Sequence, residues 1–353
     1  MRARWFRFSA LVLLAALGVN GQEASWKEQF GQAMALYSKG HHAKAATVDE
    51  TAVKTAEKEL KADDPDFAKG LTGLAVIYRA QGKHVQAESL HRRALAIREK
   101  ALGPDHPDVA QSLNNLGFIY QAQGKYVEAE AFYKRALVIW EKALGPEHPE
   151  VATALSNLAR LYSVQKRYGE AEPLFKRGLA IAEKALGQEH LFLAPGLSDL
   201  AFFYVEQARY DEAETFFRRL LAVLQKNLGT EHPEVAATSK FLAILYQQEK
   251  KYAEAESLFK QALAIVEKVA GPENPEVALR LDDLGRLYMV QQKYADAEPL
   301  FKRSLAIREK ALGPTHVVVY ISLRNYADLL RKTGRVEEAK QFEAREAMGA
   351  KAP

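Results

Sequence analysis

Cysteine is absent from all 353 residues. That absence removes thiol nucleophiles, cysteine-ligated metals, disulfide staples and a lipid-bearing cysteine behind an N-terminal leader. A strong charge imbalance is also missing. The chain carries 49 basic and 45 acidic residues, net +4, and three of the arginines (Arg2, Arg4, Arg7) fall within the first 21 residues. Setting those aside leaves 46 basic against 45 acidic residues. Nucleic-acid binding calls for a domain-wide basic excess, so no nucleic-acid partner is expected. Long apolar runs are scarce. The uncharged, mostly apolar stretch near the N-terminus, Phe8 to Val19, is about 12 residues, whereas a membrane-crossing helix needs about 20. It follows the three arginines, no acid precedes Glu23, and small residues at Val19-Asn20-Gly21 lie before Gln22. That is the layout of a bacterial-type signal peptide over residues 1–21, which predicts an exported chain, periplasmic or secreted. A membrane association is expected only if the segment stays uncleaved.

Catalytic signatures are missing as well. There is no Gly-x-Ser-x-Gly, no His-Glu-x-x-His, no phosphate-cradling glycine loop and no dinucleotide fingerprint. No stretch outside the repeat described next is large enough to hold a catalytic domain. The expectation is a non-enzyme without cofactor.

What is present is a ladder of alanines 42 residues apart: Ala45, Ala87, Ala129, Ala171, Ala213, Ala255, Ala297 and Ala339. Leucines (Leu74 to Leu284), tyrosines (Tyr78 to Tyr288) and glycines (Gly103 to Gly313) recur with the same period. A fixed period of about 20–50 residues marks one supersecondary unit copied and stacked. In the unit opening at Gly103, the breaker-rich Gly103-Pro104-Asp105-His106-Pro107 reads as a loop. Val109, Leu113, Leu116, Gly117 and Tyr120 then follow at helical spacing. Gly124 ends that helix. A second helix from about Tyr126 carries Ala129, Phe132, Tyr133, Ala136, Leu137, Trp140 and Leu144, and Gly145 closes it. The ladder alanine should let the two helices approach closely, with Gly117 opposite having the same effect.

Leu116-Gly117, Tyr120, Ala129, Tyr133 and Ala136, with Gly145–Ala152 and Ala297–Arg303, resemble the tetratricopeptide repeat. The 42-residue period is similar to the kinesin-light-chain-like form of that repeat. The resemblance implies an all-α, right-handed superhelical solenoid of about eight helix-turn-helix units. Residues 22–63 form a divergent first unit. Residues 64–353 form seven more, the last a cap. No internal boundary or linker is visible.

Two constellations invite a chemical reading and have simpler ones. His106, His148, His190, His232 and His316 recur once per unit, about 10 Å apart in stacked pairs, too far to share a metal ion. Each is expected to tie its loop to the following helix start, as Asn274 does in the sixth copy. The acid pairs Glu128/Glu130, Glu212/Glu214 and Glu254/Glu256 sit at second-helix starts, where the helix dipole favours them.

The resemblance also implies that first helices line a concave groove. By offset from the tyrosines, the groove set includes Lys69, Arg79, Asn114, Phe118, Arg160, Phe202, Lys240, Asp282, Arg286, Arg324, Asp328 and Arg331. These positions vary between copies while the packing positions hold. Asn115, Asn157 and Asn325 match asparagines that grip extended peptides in related repeats, although no continuous asparagine ladder exists. The groove leans positive, with Phe118 and Phe202 as candidate apolar contacts. The expected function is a protein-interaction scaffold binding a protein or peptide, acidic with an apolar anchor. The alternative is an envelope assembly factor, tethered or self-associating at the membrane.

Overall fold

The computed structural model describes residues 25–349, so the expected signal peptide over 1–21 lies outside the described residues. Among those residues the chain is all-α, with sixteen helices, one 3-10 turn and no strand. It divides after Gln188 into two compact units, a partition that the unbroken repeat does not predict.

The first unit holds four pairs: α1 (Ser25–Ser38) with α2 (His42–Glu59), α3 (Pro65–Ala80) with α4 (His84–Leu102), α5 (Pro107–Ala122) with α6 (Tyr126–Leu144), and α7 (Pro149–Val164) with α8 (Tyr168–Leu186). The second opens with a 3-10 turn (Leu191–Leu193) and α9 (Ala194–Glu206), paired with α10 (Tyr210–Leu228). Then come α11 (Pro233–Gln248) with α12 (Tyr252–Ala270), α13 (Pro275–Val290) with α14 (Tyr294–Leu312), and α15 (Val317–Lys332) with α16 (Val336–Gly349).

The helix boundaries follow from local chemistry. The Nδ1 atoms of His106, His148, His232 and His316 accept the backbone N–H two residues on, at 3.1–3.2 Å. Asn274 Oδ1 and Asp64 Oδ1 do the same in their copies, at 2.9 and 2.8 Å. The histidine series is therefore a set of helix N-caps. Proline then starts α3, α5, α7, α11 and α13, where its missing N–H is harmless. In the fifth pair Leu191-Phe192-Leu193 stands where Pro-Glu-Val would be. Pro195 comes later, where it withholds a backbone bond from the first turn. His190 still caps Phe192, at 3.2 Å, but the turn winds as 3-10. The turn inside each pair needs a left-handed residue. Gly124 supplies it at φ +76°, and Lys250 is forced into it at φ +61°.

Pairs bury their apolar faces on one another. Trp26, Phe67, Leu71 and Ile97 join α1, α3 and α4, and Val109, Leu113, Trp140 and Leu155 join α5, α6 and α7. Ala87 of the ladder clusters with Ala75 of its own first helix and Ile119 of the next, and Ala45 does so with Ala33 and Ile77. Gly117 has a different role from the one expected. A methyl group there would lie 2.7 Å from the Tyr133 ring, so the glycine makes room for an aromatic side chain. Gly285 does the same for Phe301, also at 2.7 Å.

The repeated tyrosines also have a polar role that their place in an apolar stripe conceals. Tyr120, Tyr162, Tyr246 and Tyr288 donate to Glu88, Glu130, Glu214 and Glu256 of the preceding pair, at 2.8–3.0 Å. Helix-start electrostatics is thus only part of the role of the paired glutamates. Burial alone would raise Glu130, but hydrogen bonds from Arg167, Lys134 and Tyr162 outweigh it and hold the carboxyl at about 2. The last pair carries Leu330 at the tyrosine register. Tyr326, one turn earlier, donates to Glu298 instead, at 3.0 Å. On the outer rim Lys142 pairs with Asp105 at 2.6 Å and Lys310 with Glu273 at 3.0 Å. These exposed pairs add little stability.

Candidate functional site

The first-helix faces of the first unit bring together most of the residues expected there. Arg79 of α3 lies 4.5 Å from the ring centre of Phe118 on α5, a cation–π stack that half-buries both. Burial lowers the Arg79 guanidinium pKa, and a hydrogen bond with Tyr37 opposes the shift. Tyr133, held over Gly117, donates to Gln121 at 3.1 Å. Asn114 and Asn157 are not free amides. Asn157 Nδ2 donates to Asn114 Oδ1 at 2.7 Å, both side chains are buried, and Arg160 donates to Asn157 Oδ1. They cross-link α5 and α7, because two facing amides in a dry seam satisfy each other more cheaply than they could await a ligand. Asn115 is half-buried and accepts from Gln111 at 3.2 Å. Lys69 stands apart, exposed and paired with Asp66 at 2.8 Å.

In the second unit the centre is aromatic and basic. Phe202 of α9 meets Phe217 edge-on at 5.2 Å and Phe241 at 4.8 Å, and Phe217 stacks on Phe241 at 6.0 Å. Lys240 of α11 sits 4.2 Å from the centre of the Phe241 ring, and the structure gives it no ion pair. Burial lowers the Lys240 pKa, and Arg280 beside it adds to the shift. Arg286 binds Asp283 at 2.8 Å, as does Arg280 at 3.0 Å. Arg324 on α15 is exposed.

The two acids expected in the groove differ in where they lie. Asp328 is exposed on α15. Asp282 is not in the groove: it is 1% exposed and bound to the fully enclosed Arg308 of α14 at 2.6 Å. Its register position points inward here because a buried arginine demands a counter-ion. Asp283, one residue on, is the half-buried carboxylate beside Arg280 and Arg286. Arg331 is committed to Glu343 by two bonds, at 2.6 and 2.7 Å, inside the terminal pair. Sequence reasoning missed Arg280 and Phe241 as members of these clusters, while Gln121, expected on the groove face, is there as the acceptor from Tyr133. It also missed the buried arginines Arg98 and Arg308, although a charge in a column otherwise occupied by Ala56, Trp140, Ala182, Leu224 and Val266 was a visible signal.

A family model described as tetratricopeptide repeat matches residues 66–137, 108–184, 192–268, 234–289 and 276–345. No curated protein matches the chain. Among solved structures, the apo form of the quorum sensor NprR from B. thuringiensis is 14% identical, with a TM-score of 0.59 over 92% of this chain and 87% of that one. Apo RapI is 16% identical, with a TM-score of 0.54 over 81% of this chain and 98% of that one. Nearly identical TPR-like repeats of a Podosopora anserina kinesin light chain are 27% identical, with a TM-score of 0.48 over 59% and 98%. With NprR and RapI the likeness lies in the fold alone.

Proposed function

The chain belongs to the tetratricopeptide repeat family, and from that membership we propose that it is a non-enzymatic scaffold whose first-helix faces hold a protein or peptide partner. The observation that carries this reading is the state of Lys240. Most cations in the described repeats have a carboxylate, through the Lys–acid and Arg–Glu pairs within and between repeats. Lys240 instead lies half-buried on an aromatic cluster with no ion pair of its own; Arg280 and Arg286 oppose its charge, and Asp283 and Glu276 favour it without pairing with it. Partly desolvated cations beside aromatic surface favour an acidic segment with an apolar side chain, and such anchors concentrate binding energy. Arg324, exposed on α15, extends the positive face.

Partner capture tests this. Used as bait in extract from the source cell, the wild-type chain should retain proteins that the Arg160→Glu, Lys240→Glu double variant releases. Equal recovery by both baits removes the groove from the explanation. We place the working location outside the cytoplasm, on the strength of Arg2, Arg4, Arg7 and the uncharged stretch behind them. Mass spectrometry of the isolated protein should find Gln22 as the first residue; a chain retaining Met1 favours a tethered envelope factor.

A further inference from the structure

Arg98 and Arg308 occupy the same register, five repeat periods apart. Each sends Nη1 to the serine hydroxyl fourteen residues on, Ser112 at 2.7 Å and Ser322. There the likeness ends. Arg308, with no exposed surface, is neutralised by Asp282. Arg98 is 5% exposed and has Thr72 at the register of Asp282 and Gly73 at that of Asp283. Its acceptors are the Ser112 hydroxyl and, at 3.3 Å, the Asp108 carbonyl, neither of them a carboxylate; Nε has no partner at either arginine. The charge of Asp108 favours the guanidinium but does not offset burial.

The surroundings add to the imbalance. His91, 2% exposed, feels both Arg79 and Arg98, and its Nδ1 has no partner. Burial first, and the two guanidinium groups second, push this imidazole down to about 3, so it is neutral. A buried guanidinium without a carboxylate is costly, and a carboxylate supplied with good geometry and further hydrogen bonds offsets part of that cost. The second unit shows where such a group comes from: the first-helix position occupied by Asp282. In the first unit that position is Thr72, half-buried where Asp282 is enclosed, its hydroxyl donating to the Ala68 carbonyl at 2.8 Å.

We infer that Arg98 is the seat for a carboxylate brought by the bound segment, an aspartate or glutamate side chain entering over Thr72 as Asp282 reaches Arg308. The inference rests on the groove reading for the approach of that segment. The chemistry at Arg98 is separate and is tested separately.

Acetate serves as the probe, being the head group of an aspartate side chain. In thermal unfolding at equal ionic strength, sodium acetate in place of sodium chloride should raise the midpoint of the wild-type chain by a few degrees. It should leave the Thr72→Asp variant unmoved, because that variant fills the seat from within. Thr72→Asp should also unfold at higher temperature than Thr72→Asn, which matches its size without its charge. No acetate shift in the wild type, an equal shift in Thr72→Asp, or a Thr72→Asp chain less stable than Thr72→Asn overturns the inference. As bait, Thr72→Asp should lose partners that Thr72→Asn keeps. If Thr72→Asp keeps the proteins that the Arg160→Glu, Lys240→Glu variant releases, the groove reading stands and the Arg98 seat falls.

Discussion

Asp49 of α2 is an acid where an aromatic belongs. Its register is that of Tyr133, Phe175, Phe217, Phe259 and Phe301. It has no exposed surface, and neither carboxyl oxygen has a hydrogen-bond partner. Burial pushes the carboxyl up from 3.8 to about 8, so at neutral pH the folded chain holds a proton that the unfolded chain has released. The folded pKa lies above the unfolded one, so stability falls as pH rises between about 4 and about 8. At 1.36 kcal/mol per unit, the loss from pH 5 to pH 8 is about 4 kcal/mol. Stability in stacked repeats is local plus nearest-neighbour, so the loss should fall on α1 and α2. The assay is hydrogen exchange by mass spectrometry on peptides from those helices, at pH 5 and pH 8, with rates corrected for base catalysis. The wild-type chain should lose protection on going to pH 8, while Asp49→Asn, which matches its size and takes up no proton, should hold level. If wild type and Asp49→Asn change by the same amount, Asp49 is already ionised in the folded chain and the reasoning is wrong.

Three further outcomes are expected. Gly285→Ala places a methyl group against the Phe301 ring and should cost about 2 kcal/mol in urea unfolding, most of it recovered when Phe301→Leu is added. Tyr162→Phe removes the hydroxyl bound to Glu130 but leaves Arg167 and Lys134 on that carboxylate, so it should cost about 1 kcal/mol, read by the same titration. Lys250→Gly relieves a left-handed backbone worth about 1–2 kcal/mol. Glycine's own entropy takes back part of that, leaving a gain of about 0.5–1 kcal/mol, seen as a higher calorimetric midpoint.

The architecture was legible because its signals repeat. One histidine at the end of a loop is ambiguous, whereas five in a 42-residue register, three of them before a proline and with Asn274 filling the one gap, announce helix caps. Gly124 and the ladder alanines likewise fixed where each pair turns and how tightly it closes. The candidate site was legible only as a set of positions. Offset arithmetic put Arg79, Phe118 and Arg160 on one face, and the structure stacks the first two on each other and bonds the third to Asn157. It could not see that Asn114 and Asn157 spend their amides on each other, since side-chain pairing across helices leaves no trace in spacing. Nor could it tell that Asp282 turns inward, because that depends on Arg308, a residue 26 positions away on another helix. The tyrosine hydroxyls were concealed for the opposite reason: an aromatic in an apolar stripe already looks explained.

A chain built from near-copies risks aligning with itself out of step, since any second helix can recognise the wrong first helix. The Arg308–Asp282 couple acts against that error. One period before Asp282 stands Lys240, and one period after it stands Arg324. A helix α14 that docked one repeat early or late would set its enclosed guanidinium against a second cation instead of a carboxylate. Among interchangeable parts, that single mismatch works like a keyed joint: it admits α14 beside α13 and penalises both neighbouring alignments.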